Sequence, residues 1–214
     1  ILKQLADKDQ YYVTVVQHNN PPPFSKAGNI HIISSSISNL NLSSFDHFPD
    51  VVIHAARNRT GRFGRLGRFI LSMKGRYENK KLLNQIERSN KRTKIIYISG
   101  RLMYGSHPNE LITESSPLHP LSSASEYVNA ELPFYQAVLP NDPNVIMLRV
   151  PWVIGYGSWF KWFYADYIKT YKEIPLYTHN KGMMTFIDIE DLAQSIIRLC
   201  NIDFRGLLNL FYPK

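Results

Sequence analysis

The sequence predicts an α/β fold in which helices cover both faces of a parallel sheet, the doubly wound arrangement. Short runs rich in Val and Ile alternate along the chain with longer segments whose apolar residues recur at helical spacing. Strands that alternate with helices in this way are typical of a parallel sheet. The chain has 214 residues, of which 44% are hydrophobic, and is therefore long enough to bury a sizeable core of one domain.

The predicted elements follow one another in a regular order. The chain opens with the end of a helix over Ile1 to Lys8, and the stretch Asn19-Asn-Pro-Pro-Pro23 predicts a loop. Strands are predicted where β-branched residues cluster, and helices where apolar residues recur every three or four positions. The strands are Tyr12 to Val16, Ile30 to Ser34, Val51 to Ala56, Lys94 to Ser99, Val145 to Val150 and Thr185 to Ile189, and the helices are Leu71 to Glu87, Tyr127 to Ala137, Trp159 to Tyr171 and Asp191 to Cys200.

Several classes of protein are disfavoured by composition. The single cysteine, Cys200, cannot form an internal disulfide, which favours a reducing compartment. No apolar run approaches the roughly 18 residues of a membrane span, and no charged and then apolar leader opens the chain. The histidines are not spaced with cysteines or carboxylates as metal ligands are. We therefore expect a cytoplasmic protein with no membrane partner and no bound metal.

Positive charge is concentrated in one stretch. The formal net charge is +8, and seven basic side chains fall between Arg57 and Arg76. Such a cluster could attract the phosphates of a nucleotide, a nucleotide sugar or a nucleic acid, or it could be a solvated basic loop. No nucleic-acid-binding module accompanies it, so we expect no nucleic-acid partner.

Five motifs occur in an order and spacing that are hard to obtain by chance. They are Asp50-Val-Val-Ile-His-Ala-Ala56, Ile95-Ile-Tyr-Ile-Ser-Gly-Arg-Leu-Met-Tyr-Gly105, Thr113-Glu-Ser-Ser-Pro117, Leu148-Arg-Val-Pro-Trp-Val-Ile-Gly155 and Phe186-Ile-Asp-Ile-Glu-Asp-Leu-Ala193. Together they resemble the extended short-chain dehydrogenases/reductases, the NAD-dependent epimerase/dehydratase group that acts mostly on nucleotide sugars. The resemblance implies a Rossmann-type sheet, an NAD or NADP cofactor, and a nucleotide sugar or related small molecule as substrate.

The resemblance also implies how the chain is divided. Residues 1–150 correspond to the dinucleotide-binding domain, and residues 151–214 to substrate-region elements with a returning strand and helix. The family begins with a strand and a Gly-x-x-Gly-x-x-Gly turn that holds the pyrophosphate, and neither precedes Ile1. Either the sequence is part of a longer chain or the protein has lost this glycine-rich turn. We favour the first, because Ile1 to Leu5 resembles the helix that normally follows the turn.

The expected cofactor-binding residues follow from the same matches. They are Gln17 and His18 after the first predicted strand, Ala55 and Ala56 at the end of the third, and Val153 in the later strand motif. An acidic residue at the position of Gln17 or His18 would bind the ribose of NAD, whereas a basic residue there would favour NADP. Because neither pattern is present, the choice between NAD and NADP stays open.

The catalytic residues match the family only in part. Tyr127 stands where the family tyrosine exchanges a proton with the substrate hydroxyl. The lysine expected four residues later is Glu131, whose negative charge would disfavour a tyrosinate. The serine or threonine expected on the strand falls on Gly100, with Ser99 one place earlier, and Pro133 makes the helical spacing of Tyr127 and Glu131 uncertain. The catalytic candidates are therefore Tyr127 and Ser99, and we expect the hydride-transfer activity of the protein to be weak or absent.

Two functions of different classes remain open. One is an NAD(P)-dependent epimerase, dehydratase or reductase in which Tyr127 is the acid/base group; the other is a catalytically silent member that uses the fold for ligand binding or assembly. The aromatic residues Trp152, Trp159, Trp162 and Phe163 could line a substrate pocket or belong to a core or dimer face. The resemblance implies a homodimer whose contact comes from the helices over Leu71 to Glu87 and Tyr127 to Ala137.

Overall fold

The computed structural model describes residues 1–6, 8–18, 28–56, 65–89, 92–107, 110–121, 124–138, 144–174 and 184–211. Helices and strands alternate along these ranges. The helices are α1 (Leu2–Ala6), α2 (Arg65–Arg88), α3 (Ser125–Val138), α4 (Asp166–Tyr171) and α5 (Ile189–Asn201). The strands are β1 (Val13–Gln17), β2 (Ile30–Ser34), β3 (Val51–His54), β4 (Lys94–Gly100), β5 (Val145–Val150), β6 (Trp152–Ile154), β7 (Phe186–Asp188) and β8 (Gly206–Asn209).

Every strand pair among the described residues is parallel, which confirms the predicted sheet type. Four strands form the main sheet in the order β3-β4-β5-β8, while β1 pairs with β2 and β6 pairs with β7. In the main sheet Val51 lies opposite Lys94, and Ile95 lies opposite Val145. The carboxyl ends of β3, β4 and β5 therefore meet at one edge, where a ligand site is expected in open α/β sheets.

Helices cover both faces of the main sheet, as predicted. Side chains alternate along β4, so that Ile95 and Tyr97 belong to one hydrophobic cluster and Ile96 to another. The first cluster includes Leu82 of α2 and Phe134 of α3. The second cluster includes residues of α5. The fold is therefore doubly wound, with α2 and α3 on one side of the sheet and α5 on the other.

The predicted elements are largely confirmed, and the differences have local causes. The sequence analysis missed β6 and β8, because β6 is three residues long and β8 begins at a glycine with a φ of +104° and contains no β-branched residue. The aromatic helix is present, with a π-helical turn at Lys161–Ala165 before α4. The predicted loop at Asn19 to Pro23 lies outside the described residues.

The start of α5 is fixed by a side-chain cap. Oδ1 of Asp188 accepts a hydrogen bond of 2.7 Å from the backbone N of Glu190, and two acids lie in the first turn. An N-cap aspartate and acids in the first turn both stabilise the start of a helix. In the same helix, the thiol of Cys200 donates to the carbonyl of Ile196. Within the described ranges, each helix is too short or too polar to cross a bilayer.

Candidate active site

A cavity of about 520 Å³ lies at the carboxyl edge of the main sheet. Its wall includes Ala55 and Ala56 after β3, Ser99 and Gly100 at the end of β4, and Val150 at the end of β5. Helices α2 and α3 close one side of it, and β6 and the start of α5 contribute to another. Both its position and its volume are those of ligand-binding sites in α/β proteins.

The structure brings most of the predicted site residues to this cavity. Tyr127 and Ser99, the catalytic candidates, both line it, and so do the cofactor candidates Ala55, Ala56 and Val153. These residues come from distant parts of the chain, and the fold gathers them at one place.

The remaining two cofactor candidates lie elsewhere. Gln17 ends β1, where its Oε1 atom is buried and has no hydrogen-bond partner among the described residues. His18 follows it and is exposed. Neither residue lines the described part of the cavity wall. Their role in cofactor binding stays a prediction.

Helix α3 carries Tyr127 and Glu131 to the same wall of the cavity. Pro133 lies inside this helix, where a proline removes one backbone hydrogen bond and can break the helix. The helix nevertheless continues through it, and residues four apart keep the same face. The spacing of Tyr127 and Glu131, uncertain from sequence, is therefore the helical one.

Glu131 belongs to a buried cluster with Ser99 and Arg149. The Ser99 hydroxyl donates to Oε2 of Glu131. Nη1 of Arg149 donates to the same Oε2 over 2.8 Å and to Oγ of Ser99 over 2.7 Å. The side chains of Arg149 and Glu131 are 0% and 3% exposed. Ser99 thus orients Glu131, and the carboxylate beside Tyr127 on α3 has a cation as its partner.

The sequence analysis missed Arg149, although a signal was present. Arg149 is the one charged residue in the strand Val145-Ile-Met-Leu-Arg-Val150, whose residues are all buried. A buried arginine needs an acidic partner, and this rule predicts a carboxylate near the end of that strand. The guanidinium carbon also lies 5.8 Å from the ring centre of Tyr104 and 6.0 Å from that of Tyr135. Both rings can stabilise the cation.

One oxygen of Glu131 is left for a ligand. Oε1 is buried and has no hydrogen-bond partner among the described residues, and Glu131 lines the cavity. Burial raises the pKa of the Glu131 carboxyl, while Arg149 and the hydrogen bonds from Ser99 and Arg149 act in the opposite direction. The net shift is upward. A donor group placed in the cavity could therefore hydrogen-bond to Oε1.

A second buried carboxylate, Glu78 of α2, lines the same cavity. It lies 3.7 Å from Nζ of Lys74. Its neighbour Asn79 ties the sheet to α3: the carbonyl oxygen Oδ1 lies 2.8 Å from Nε2 of His54, and Nδ2 donates to the carbonyl of Ala130 over 2.7 Å. The network assigns the hydrogen of His54 to Nε2, because Oδ1 can only accept.

His54 packs against Tyr97, which lines the cavity. Its ring meets Tyr97 and Phe134 edge to face. Burial lowers the pKa of His54, so the neutral ring is favoured in the fold. His54 is therefore a buried, packed residue whose ring is held by Asn79, Tyr97 and Phe134.

The four aromatic residues proposed for the pocket are only partly gathered there. Trp159 lines the cavity, whereas Trp162 is 70% exposed. Trp152 packs edge to face against Phe163, with ring centres 5.9 Å apart. Trp159 is therefore the aromatic residue of this group that can contact a ligand in the cavity.

The residues present fit the nicotinamide half of NAD or NADP. The small side chains of Ala55 and Ala56 leave the backbone after β3 accessible, and the apolar wall suits a planar ring. Oε1 of Glu131 and Oγ of Ser72 are buried atoms without partners among the described residues, and both residues line the cavity. They can bind the polar edge of a ligand. The described residues contain no cluster that could hold a metal ion.

Several solved structures share this fold. A UDP-N-acetylglucosamine 4-epimerase from Methanobrevibacter ruminantium M1, in complex with UDP-N-acetylmuramic acid, is 20% identical, with a TM-score of 0.72 over 100% of this chain and 72% of that one. A UDP-glucuronic acid 4-epimerase from Bacillus cereus, bound to UDP-glucuronic acid and NAD, is 16% identical, with a TM-score of 0.78 over 99% and 73%. The NAD-dependent NDP-hexosamine 5,6-dehydratase TunA is 19% identical, with a TM-score of 0.74 over 94% and 68%.

No curated protein matches the sequence. The family model described as the NAD dependent epimerase/dehydratase family, however, matches residues 1–206. This match covers nearly the whole chain and includes every residue of the cavity wall described above. The chain therefore belongs to the NAD-dependent epimerase/dehydratase family.

Proposed function

We propose that the protein is an NAD(P)-dependent epimerase, dehydratase or reductase of a nucleotide sugar or a related substrate. One observation carries the proposal: the cavity at the carboxyl edge gathers Tyr127, Ser99, Ala55, Ala56 and Val153. The cofactor supplies the chemistry of accepting and returning a hydride. Tyr127 is the side chain that holds or releases the proton of the substrate hydroxyl. Ser99 acts through Glu131, to which its hydroxyl donates.

The substrate class is supported by the similar structures. The Methanobrevibacter epimerase was solved with UDP-N-acetylmuramic acid, and the Bacillus cereus epimerase with UDP-glucuronic acid and NAD. These ligands favour a nucleotide sugar as substrate and NAD as cofactor here. NADP stays open, because Gln17 and His18 carry neither the acid nor the fixed positive charge that would decide.

A catalytically silent protein is the second candidate, and the Glu131 cluster favours it. Glu131 replaces a lysine, and Arg149, the cation nearest to it, is bound to Glu131 and Ser99. Gly100 stands where a hydroxyl residue would hold the substrate oxygen. In this alternative the cavity binds a ligand without hydride transfer.

Turnover by the full-length protein distinguishes the two candidates. We expect slow conversion of UDP-glucose or UDP-glucuronic acid in the presence of NAD. The Tyr127→Phe variant should lose at least about 100-fold in rate, because general acid–base catalysis typically contributes that much or more. Tyr156→Phe is the matched control, since Tyr156 is 95% exposed. Product formation is followed by nucleotide-sugar chromatography, and folding of each variant by circular dichroism.

Two outcomes would contradict the enzymatic proposal. One is a wild-type protein that shows no turnover with either cofactor while Glu131→Lys gains it, which supports the silent alternative. The other is turnover that Tyr127→Phe leaves unchanged, which removes Tyr127 from the chemistry.

A homodimer through α2 and α3 also remains a proposal, and an exposed stripe supports it. Five apolar residues of α2 recur at helical spacing and are all exposed: Leu66, Phe69, Ile70, Met73 and Tyr77. Residues on the other side of the helix, such as Leu82 and Ile86, lie in the core cluster. An apolar stripe of this length on a helix that is already packed is typical of a contact between subunits.

Charge placed in the stripe should separate the subunits. We expect the wild-type protein to sediment as a dimer at micromolar concentration and the Phe69→Glu variant as a monomer, because a buried unpaired carboxylate opposes association. Leu111→Glu is the control, since Leu111 is 88% exposed and lies outside the stripe. A wild-type protein that stays monomeric at high concentration in sedimentation velocity would rule the contact out.

Two further proposals rest on the sequence. The division into a dinucleotide-binding part at residues 1–150 and substrate-region elements at 151–214 is supported by the cavity, to which both parts contribute. A cytoplasmic location is supported by the single cysteine.

A further inference from the structure

The side chain of Asn79 connects three elements that meet at the cavity. Asn79 lies on α2, is 4% exposed and belongs to the cavity wall. Its Oδ1 atom lies 2.8 Å from Nε2 of His54, the last residue of β3. Its Nδ2 atom donates to the backbone carbonyl of Ala130 on α3 over 2.7 Å. Both ends of one buried amide are therefore bonded, one to the sheet and the other to the helix that carries Tyr127.

The two partners fix which end of the Asn79 amide faces α3. A backbone carbonyl only accepts hydrogen bonds, so the amide nitrogen faces Ala130 and the amide oxygen faces His54. The His54 ring is itself held edge to face by Tyr97 and Phe134, with ring centres 5.1 and 5.5 Å away. Rotation of the amide would bring its oxygen against the carbonyl oxygen of Ala130, and this orientation is therefore disfavoured.

Helix α3 needs support at this place because of Pro133. Proline has no N–H group, so the carbonyl of Asn129, four residues earlier, lacks its donor within the helix, and the proline ring crowds it. Proline is accordingly a common cause of helix bending. The adjoining carbonyl, that of Ala130, is the one to which Asn79 donates. A donor from α2 thus holds α3 at the turn that the proline weakens.

The same turn carries Tyr127. Tyr127 and Ala130 are three residues apart on α3 and therefore lie on one side of the helix, and both line the cavity. A displacement of about 1 Å in a reacting group can cost about 100-fold in rate. The place of the Tyr127 hydroxyl group relative to a substrate thus depends on how firmly this turn is held.

We propose that Asn79 is a positioning residue, which through its hydrogen bond to Ala130 holds the turn of α3 that carries Tyr127 in the geometry for proton transfer. The inference rests on the proposed function, because it takes Tyr127 as the group that holds or releases the substrate proton. Asn79 acts through the backbone of α3 and takes no part in the proton transfer itself. His54 supports it by orienting the amide.

Steady-state kinetics and hydrogen exchange of the full-length protein test the inference. The Asn79→Leu variant keeps a side chain of similar size and removes both hydrogen bonds. With NAD and UDP-glucose or UDP-glucuronic acid, we expect kcat to fall at least about tenfold and KM for the nucleotide sugar to stay unchanged, because the transition state alone requires the catalytic position of Tyr127. The backbone amides of α3 should exchange faster in this variant, as measured by mass spectrometry.

Asn29→Leu is the matched control for a loss of stability. Nδ2 of Asn29 lies between 3.0 and 3.1 Å from three backbone carbonyl oxygens, but Asn29 does not line the described cavity wall. This variant should also melt at a lower temperature than the wild-type protein. It should nevertheless keep the wild-type kcat and the wild-type hydrogen exchange of α3.

His54→Phe decides the question should Asn79→Leu fail to fold. The phenyl ring can keep the packing against Tyr97 and Phe134, but it removes the donor to Oδ1 of Asn79. The amide of Asn79 can then rotate, so we expect kcat to fall several-fold and KM to stay unchanged.

The outcomes separate this inference from the proposed function. An active wild-type protein whose kcat or α3 exchange is unchanged in Asn79→Leu, or in His54→Phe where Asn79→Leu does not fold, overturns the inference and leaves the proposed function standing. A loss of kcat that is equal in Asn79→Leu and Asn29→Leu does the same, because it then follows stability alone. A wild-type protein without turnover overturns the proposed function, and the inference falls with it.

Discussion

The Gly105→Ala variant should unfold far more easily than the wild-type protein, with a loss of roughly 3 kcal/mol or more in the free energy of unfolding. Gly105 has a φ of +79°, and a Cβ atom added there would lie 2.0 Å from the backbone oxygen of His119. A side-chain atom and a carbonyl cannot approach that closely, so the loop after β4 would have to separate from the segment around His119. Urea denaturation followed by fluorescence measures the loss.

A second glycine separates the two causes of this effect. Gly157 has a similar φ of +76°, but an added Cβ atom would meet nothing within 4 Å. The Gly157→Ala variant should therefore lose only about 1 kcal/mol in the free energy of unfolding, the amount by which a left-handed backbone is less favourable for alanine than for glycine. If both variants lose the same stability, the contact with His119 contributes nothing and the argument fails.

Gly105 also shows how much of the fold was accessible from sequence. The motif ending in Tyr104-Gly105 was recognised by pattern, and the strand before it was predicted nearly to the residue. Hydrophobic periodicity and β-branched runs carry that information for β3, β4 and β5, which have apolar residues on both faces, whereas β8 has no β-branched residue and was missed. The reason for the glycine is a contact with His119, which no local pattern encodes.

The site was predicted less completely than the fold. Ser99, Ala55, Ala56 and Val153 each belong to a motif, and Tyr127 stands at the position of the family tyrosine, so the sequence could predict that these residues lie at one site, and the structure places all five at the cavity. Arg149 could not be assigned as the partner of Glu131, since the two residues meet only when β5 and α3 pack together.

The place of Glu78 at the cavity escaped prediction for a similar reason. Glu78 lies on α2, next to Tyr77, which is 68% exposed. The sequence does not reveal which of two neighbouring helical residues faces a ligand when both faces of the helix carry apolar residues.

Removal of the Arg149 side chain should be the most destabilising change in the site. The Arg149→Met variant leaves the Glu131 carboxylate buried without its cation, and breaking such a pair costs about 3–5 kcal/mol. Tyr104 and Tyr135 would also lose the cation between their rings. Urea denaturation at neutral pH measures the loss, and Arg205→Met, at a position 53% exposed on the surface, is the control.

The double variant Arg149→Met/Glu131→Leu should recover most of this loss, because replacing both members of a buried ion pair by apolar residues is often nearly neutral.

Acidification should also rescue the single variant. Burial already raises the pKa of Glu131 in the wild-type protein, and losing Arg149 raises it further. A carboxyl with a raised pKa in the fold binds its proton more tightly there than in the unfolded chain, so the deficit of Arg149→Met shrinks as pH falls from neutral towards the ordinary pKa of glutamate. A deficit that is the same at pH 5 and pH 8, and that persists in the double variant, would show that Arg149 stabilises the fold by packing and not as the counter-ion of Glu131.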